Sequence, residues 1–314
     1  MDTFLIFVYP WFMCLLFIVS GISCNYSLRK RSNKEFIKDR AKRILLPSVL
    51  GIFIYGWISG FITAQYTDMF AGNGNNIPGF IKYFIYSLMG IGPLWFCHVL
   101  FIGSLLIVLI RKIDKKEKIN NLCKKINLPI LFILVLLVWG SSFILNTPLI
   151  TVYRFGIYLF MMLLGYYVFS NQELIKKLEK ISIQLSLISV VTGICYVYTY
   201  YGQNYTDNKI LNSFFTNLYL WIMILSIMGI GSKFLNFKNK FTVYMTKNNF
   251  NIYILHYVVV LLLGYVTVTF LNLPFILNYI VILIGTIIVL PILIEIVKRI
   301  PIIRFMVLGI SKNK

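Results

Sequence analysis

Apolar runs of roughly 18 to 22 residues recur along the chain, at 4–24, 44–65, 93–110, 128–146, 152–170, 181–201, 213–232, 250–271 and 276–297. Each is about as long as a helix must be to cross a hydrocarbon layer. They are too long and too continuously apolar for the alternating strands of a barrel, and in lipid the backbone must satisfy its own hydrogen bonds. The pattern predicts an all-α polytopic membrane helix bundle, with about nine transmembrane helices and one transmembrane domain over 1–314. Between the runs lie short polar connections. The longest, 66–92, holds AGNGNN at 71–76 and then IPGFIKYFIYSLMGIG, a turn followed by an apolar stretch too short to span, predicted to be a short interfacial helix. TDN at 206–208 and LNLP at 271–274 read as turns. No repeat, low-complexity tract or appended soluble domain is visible.

Composition agrees, with 59% hydrophobic residues against 13% charged and a mean hydropathy of +0.82. The net charge of +20 would suggest nucleic acid in a soluble protein. Here its placement explains it. When the connections are assigned alternately to two sides, 29–43, 111–125, 171–180, 233–247 and 298–314 carry 27 of the 30 basic residues, and only Lys82, Arg154 and Lys209 fall on the other side. Basic loops stay cytoplasmic. The chain is thus expected in the plasma (inner) membrane with its N-terminus outside and its C-terminus inside, with membrane lipids rather than nucleic acid around it. The first span is not read as a cleavable signal, because nothing basic precedes it and no small-residue cleavage site follows its apolar run. The five cysteines (14, 24, 97, 123, 195) form no CxxC, and they are expected as buried free thiols without disulfide or metal.

Candidate chemistry begins with eight Lys or Arg crowded into 29–43. Ser32-x-x-Glu35 fits a capping box opening a helix over about 33–46. Phe36, Ile37, Ala41, Ile44 and Leu45 can face the bilayer while Lys38, Arg40, Lys42 and Arg43 form a polar surface, and Pro47 suits the first turn of the next span. This surface is either a topology signal in contact with lipid or a phosphate clamp, since guanidinium forks bind phosphate bidentately and stay charged. Ionisable groups inside the spans are the other pointers, because burying them is costly. His98 falls in the third span and His256 in the eighth; each is a structural hydrogen bonder or an acid/base group. Arg154, at the end of the fifth span, either snorkels or binds an anionic group. Glu295 is expected to pair with Lys298 or Arg299, and Trp95 and the span-end tyrosines read as an interfacial belt. No GxxxxGK[ST], GxGxxG, HExxH or GxSxG occurs, and no span holds paired carboxylates. That weighs against an ATP-driven pump, metalloprotease, serine hydrolase or acid-coupled carrier. Acyl or glycosyl transfer from an activated donor remains.

FIVSG (17–21), FIKDRAKRILLP (36–47), GIGPLWF (90–96), LGYYV (164–168) and NNFNIYILHYVVVLLLGY (248–265), in this order and spacing, resemble the membrane-integral acyltransferase-3 family, most closely its periplasmic-glucan succinyltransferase branch. The resemblance covers nearly the whole chain. It implies an O-acyltransferase that moves an acetyl or succinyl group from cytoplasmic acyl-CoA, a donor substrate rather than a resident cofactor, to a hydroxyl of an extracytoplasmic glycan in the cell envelope. Arg40 and Arg43, with Lys42 between them, would meet the CoA phosphates. Ser20 and Gly21 would let the first two spans pack closely. His256 matches the family's Tyr-x-x-His position, with Tyr253 at its start. His256 and His98 are the catalytic candidates, and Arg154, Trp95 and Tyr253 the candidates for substrate binding. Family members usually begin with a helix bearing an Arg and a His, and this chain is expected to start after it. Pro93 stands where the branch commonly has a His. The alternatives are a non-catalytic glycan or lipid translocator on the same scaffold, or a shortened, inactive acyltransferase.

Overall fold

The computed structural model describes residues 2–67, 70, 72, 76–148, 152–271 and 273–310. Most of AGNGNN, and Asn272 of LNLP, lie outside the described residues. In chain order the helices are α1 (Asp2–Leu28), α2 (Asn33–Tyr66), α3 (Gly79–Met89), α4 (Leu94–Ile113), α5 (Lys118–Lys124), α6 (Leu128–Ile133) and α7 (Val135–Ser141). A two-stranded antiparallel hairpin, β1 (Asn146–Pro148) with β2 (Val152–Arg154), follows. Then come α8 (Phe155–Tyr167), α9 (Gln172–Lys180), α10 (Ser182–Tyr200), α11 (Asn208–Leu211), α12 (Phe214–Phe234), α13 (Lys240–Thr269), α14 (Phe275–Arg299) and α15 (Pro301–Leu308).

Among the described residues, 7 helices are long and apolar enough to cross a membrane: α1, α2, α4, α10, α12, α13 and α14. The two other expected spans take different forms. The run 128–146 is broken into α6 and α7, and it turns by 111° from α5. The run 152–170 begins in the hairpin and leaves the 13-residue α8. Much of the apolar surface stays exposed: on α14 only Leu290 and Ile294 are buried. Water does not tolerate so large an apolar face, whereas a bilayer supplies its solvent. The chain is a multi-pass helical membrane protein.

The helices form two compact units, one of Met1–Phe36 with Ile102–Phe237, the other of Ile37–Phe101 with Lys238–Lys314. In the first, α1 lies against α8 with backbone on backbone. A Cβ on Gly21 would overlap the Met162 carbonyl, and one on Gly165 would overlap that of Ile18. The small residues of FIVSG thus serve α8, not the second span, because the residue that receives Gly21 is fixed by tertiary placement. Phe17 stacks on Tyr158, with centroids 5.0 Å apart. Pro10 removes one N–H from α1, and in the same turn the Phe7 carbonyl accepts from Trp11 Nε1 (2.8 Å) and from the Tyr219 hydroxyl (2.7 Å). The basic connection 171–180 is itself the helix α9, whose Leu174 and Leu178 are buried.

In the second unit, Ile52, Leu94, Ile254, Leu255, Val258, Leu290 and Ile294 are buried in one core shared by α2, α4, α13 and α14. The predicted interfacial helix forms as α3, and it packs on α2: a Cβ on Gly60 would overlap the Tyr86 carbonyl, and one on Gly90 that of Gly56. Cys14, Cys24 and Cys97 are buried thiols as expected, whereas Cys123 is half-buried and Cys195 exposed. Cys195 stands on an α10 whose Ile194 and Val191 are also exposed, so its expected protein burial is replaced by an outward apolar face.

Candidate active site

The helix predicted over 33–46 starts as expected. Ser32 N–H donates to Glu35 Oε2 (3.0 Å) and Glu35 N–H to Ser32 Oγ (3.3 Å), a complete capping box. It does not stop at Pro47. α2 continues to Tyr66 through two π turns, Ala41–Leu45 and Ile52–Gly56. The first ends as Leu46 N–H reaches back five residues to the Ala41 carbonyl, one residue before the proline that cannot donate. The widened ladder absorbs Pro47 inside the helix, where a regular one would break. The apolar residues of the stretch also differ from expectation: Phe36 and Ile44 are buried in protein, because their positions on the helix meet neighbouring helices before lipid.

Lys42 and Arg43 are exposed on the π turn, Arg40 is half-buried, and Arg43 Nε pairs with Asp39 Oδ1 at 2.8 Å. An i, i+4 pair this exposed is worth under about 1 kcal/mol, little enough for a phosphate to displace the carboxylate. The C-terminal helix supports this turn. Gly309, at φ +64°, ends α15, and a Cβ there would come 2.8 Å from Arg43 Cα and 2.9 Å from both the Lys42 carbonyl and Pro47 Cγ. Lys298 pairs with Glu295 (2.7 Å), as predicted, and lies over the Tyr244 ring at 5.9 Å.

Deeper in the same unit, α13 carries Tyr253 and His256. The Tyr253 hydroxyl donates to the Pro93 carbonyl at 2.7 Å, and its ring packs on Phe96 with centroids 5.0 Å apart. His256 Nδ1 is 2.6 Å from the Tyr253 carbonyl. A carbonyl only accepts, so Nδ1 carries a proton, and the tautomer consistent with this bond leaves Nε2 as the nitrogen that can accept one, the requirement for a base. The GIGP turn holds this place by shape: Gly92 adopts φ +46°, and a Cβ there would come 2.6 Å from the Tyr257 ring. His256 stands twelve residues beyond Tyr244 on α13, about 18 Å along the helix.

The other candidates separate. His98 is half-buried on α4 and makes no hydrogen bond among the described residues. It is two positions past Phe96, about 200° around the helix, so it faces away from the Tyr253 contact. Trp95 is half-buried with its ring at 83° to that of Phe96. Arg154 belongs to the first unit and is 2% exposed, so it is buried, not snorkelling. Sequence reasoning passed over Tyr55. It is 8% exposed, lies in the second π turn within electrostatic reach of Cys97, as Tyr253 does, and its hydroxyl has no partner among the described residues. One tyrosine among 21 carries no signal in sequence; the π turn that buries it is a property of the folded backbone.

The fold and these residues define a class: a polytopic membrane protein with a core histidine in the same compact unit as a cluster of basic side chains. The chain belongs to the acyltransferase-3 family, whose model, described as an acyltransferase domain, matches residues 1–295, and it is therefore a membrane acyltransferase. No curated protein and no solved structure matches it significantly.

Proposed function

We propose that this protein transfers an acetyl or succinyl group from cytoplasmic acyl-CoA to a hydroxyl of an extracytoplasmic glycan. The observation that carries the reading is the fixed tautomer of His256, in the same unit as the basic π turn of α2. Arg40, Lys42 and Arg43 hold the donor's phosphates, and the long pantetheine arm carries the thioester up along α13 toward His256. His256 Nε2 takes the proton of the acceptor hydroxyl as its oxygen attacks the thioester carbonyl. The C–S bond breaks, the acyl group leaves on the new ester oxygen, and the proton on His256 passes to the departing CoA thiolate. The apolar core of Ile254, Leu255 and Val258 around this turn keeps water from the thioester. Tyr253 positions the α13 turn against Pro93, Trp95 lies at the acceptor side, and the basic loops are cytoplasmic.

The test uses the purified full chain in proteoliposomes with radiolabelled acetyl-CoA or succinyl-CoA outside basic-side-out vesicles. Label is expected in base-labile ester on the glycan. His256→Ala should lose about 10²-fold or more of that transfer with CoA binding retained, and Arg40→Gln with Arg43→Gln should weaken CoA binding about tenfold or more. Transfer that survives in His256→Ala sinks the catalytic assignment. Movement of glycan across the bilayer without CoA dependence would replace it with translocation on the same scaffold.

A further inference from the structure

Among the described residues, Arg154 is a cation without an anion. Its guanidinium is buried in the first unit at 2% exposure and cannot lose its proton at any ordinary pH. Nη2 donates to the Leu211 carbonyl (2.9 Å) and to Asn217 Oδ1 (3.2 Å), whereas Nε is buried with no partner. No Asp or Glu forms an ion pair with it among the described residues. The neighbouring titratable groups are Cys14 and Tyr196, both neutral in an apolar setting.

The frame around it is largely bonded, although Asn146 Oδ1, on the residue paired with Arg154 in the hairpin, and Asn208 Oδ1, on α11, are also buried without a partner among the described residues. Asn217 Nδ2 donates to the Leu211 carbonyl (3.1 Å) and to that of Ser213 (2.9 Å), and Thr216 Oγ1 donates to the Ile210 carbonyl (2.6 Å). Those bonds close the end of α11 and hold Asn217 with its oxygen toward the arginine. Arg154 is also the N-cap residue of the 13-residue α8, which has no side-chain cap. The unsatisfied N–H groups and dipole of that helix add positive potential at the place where the guanidinium already stands. A buried charge is stable when paired, and here, among the described residues, only the dipoles of the Leu211 carbonyl and Asn217 Oδ1 oppose the positive charge, with no full negative charge beside it.

We propose that the surroundings of Arg154 form a binding site for an oxyanion, a carboxylate or phosphate group carried by a ligand, which takes the free Nε and the N-terminus of α8. The inference goes beyond acyl transfer and uses no acyl-CoA, so its outcome is independent of that reading. The test measures thermal unfolding of the full chain with inorganic phosphate at constant ionic strength in nonionic detergent, and in nanodiscs of phosphatidylglycerol against nanodiscs of an uncharged galactolipid. Wild type should gain about 5 °C at a hundredfold excess over Kd, and Arg154→Gln should gain nothing. A gain with dissolved phosphate identifies a soluble anionic ligand. A gain confined to phosphatidylglycerol identifies a lipid headgroup. Both uphold the site when Arg154→Gln abolishes them. Equal gains in the two proteins, or none in wild type, overturn it. Where Arg154→Gln does not fold, Arg154→Lys keeps the charge and loses the fork, so its affinity for the same anion should fall about tenfold; unchanged affinity overturns the site.

Discussion

His256 keeps its tautomer through one backbone carbonyl, and that carbonyl belongs to Tyr253, whose own hydroxyl is tied to Pro93. The two residues, three positions apart, therefore act as a unit. Tyr253→Phe keeps the ring against Phe96 and removes only the hydroxyl. We expect it to lower stability by about 0.5–1.5 kcal/mol, the net worth of one hydrogen bond, seen as a fall in the thermal midpoint, and to lower acyl transfer through misplacement of His256. A midpoint equal to wild type would show that the Pro93 contact holds nothing. The i, i+3 relation of Tyr253 to His256 was legible in sequence. Its partner at Pro93 was not, because a bond across 160 residues leaves no local mark. Arg154 shows the same division: its position at a span end was readable, and its burial without an acid was not.

At the scale of elements, periodicity located seven of the nine expected spans as helices long enough to cross, among the described residues, while the runs 128–146 and 152–170 form broken or short helices. Pro47 reads as a helix start, since proline is preferred at the first turn. The structure instead widens one turn ahead of it and runs on to Tyr66. Glycine pairing was readable only as a property. FIVSG announces a close-packing surface, but its partner is α8, with Gly21 against the Met162 carbonyl and Gly165 against that of Ile18. Gly165→Val should therefore force α1 and α8 apart and destabilise the protein by about 1–3 kcal/mol or more. Unfolding in mixed detergent measures this, with Gly140→Val as the control because nothing lies within 4 Å of its added Cβ. Equal effects of the two changes would refute the packing role of Gly165.

For the whole molecule, the proposed orientation rests on charge. In a background with the five native cysteines replaced by alanine, cysteine at Lys116 or Lys177 should resist an impermeant maleimide in intact cells, and cysteine at Lys82 or Lys209 should react. The reverse pattern would invert the assignment and with it the side on which the donor arrives. Sequence alone determined the class of this protein. Apolar run length and the 27-to-3 division of basic residues follow from the solvent, because a bilayer demands long apolar helices and holds positive loops on one side whatever their packing. Only the tertiary structure decided the chemistry. It chose which carbonyl fixes His256, turned His98 away from that contact, absorbed Pro47 behind a π turn and buried Arg154 with no counter-charge among the described residues. Those outcomes depend on contacts between residues far apart in the chain, and such contacts are specified by the mutual fit of helices rather than by any local pattern.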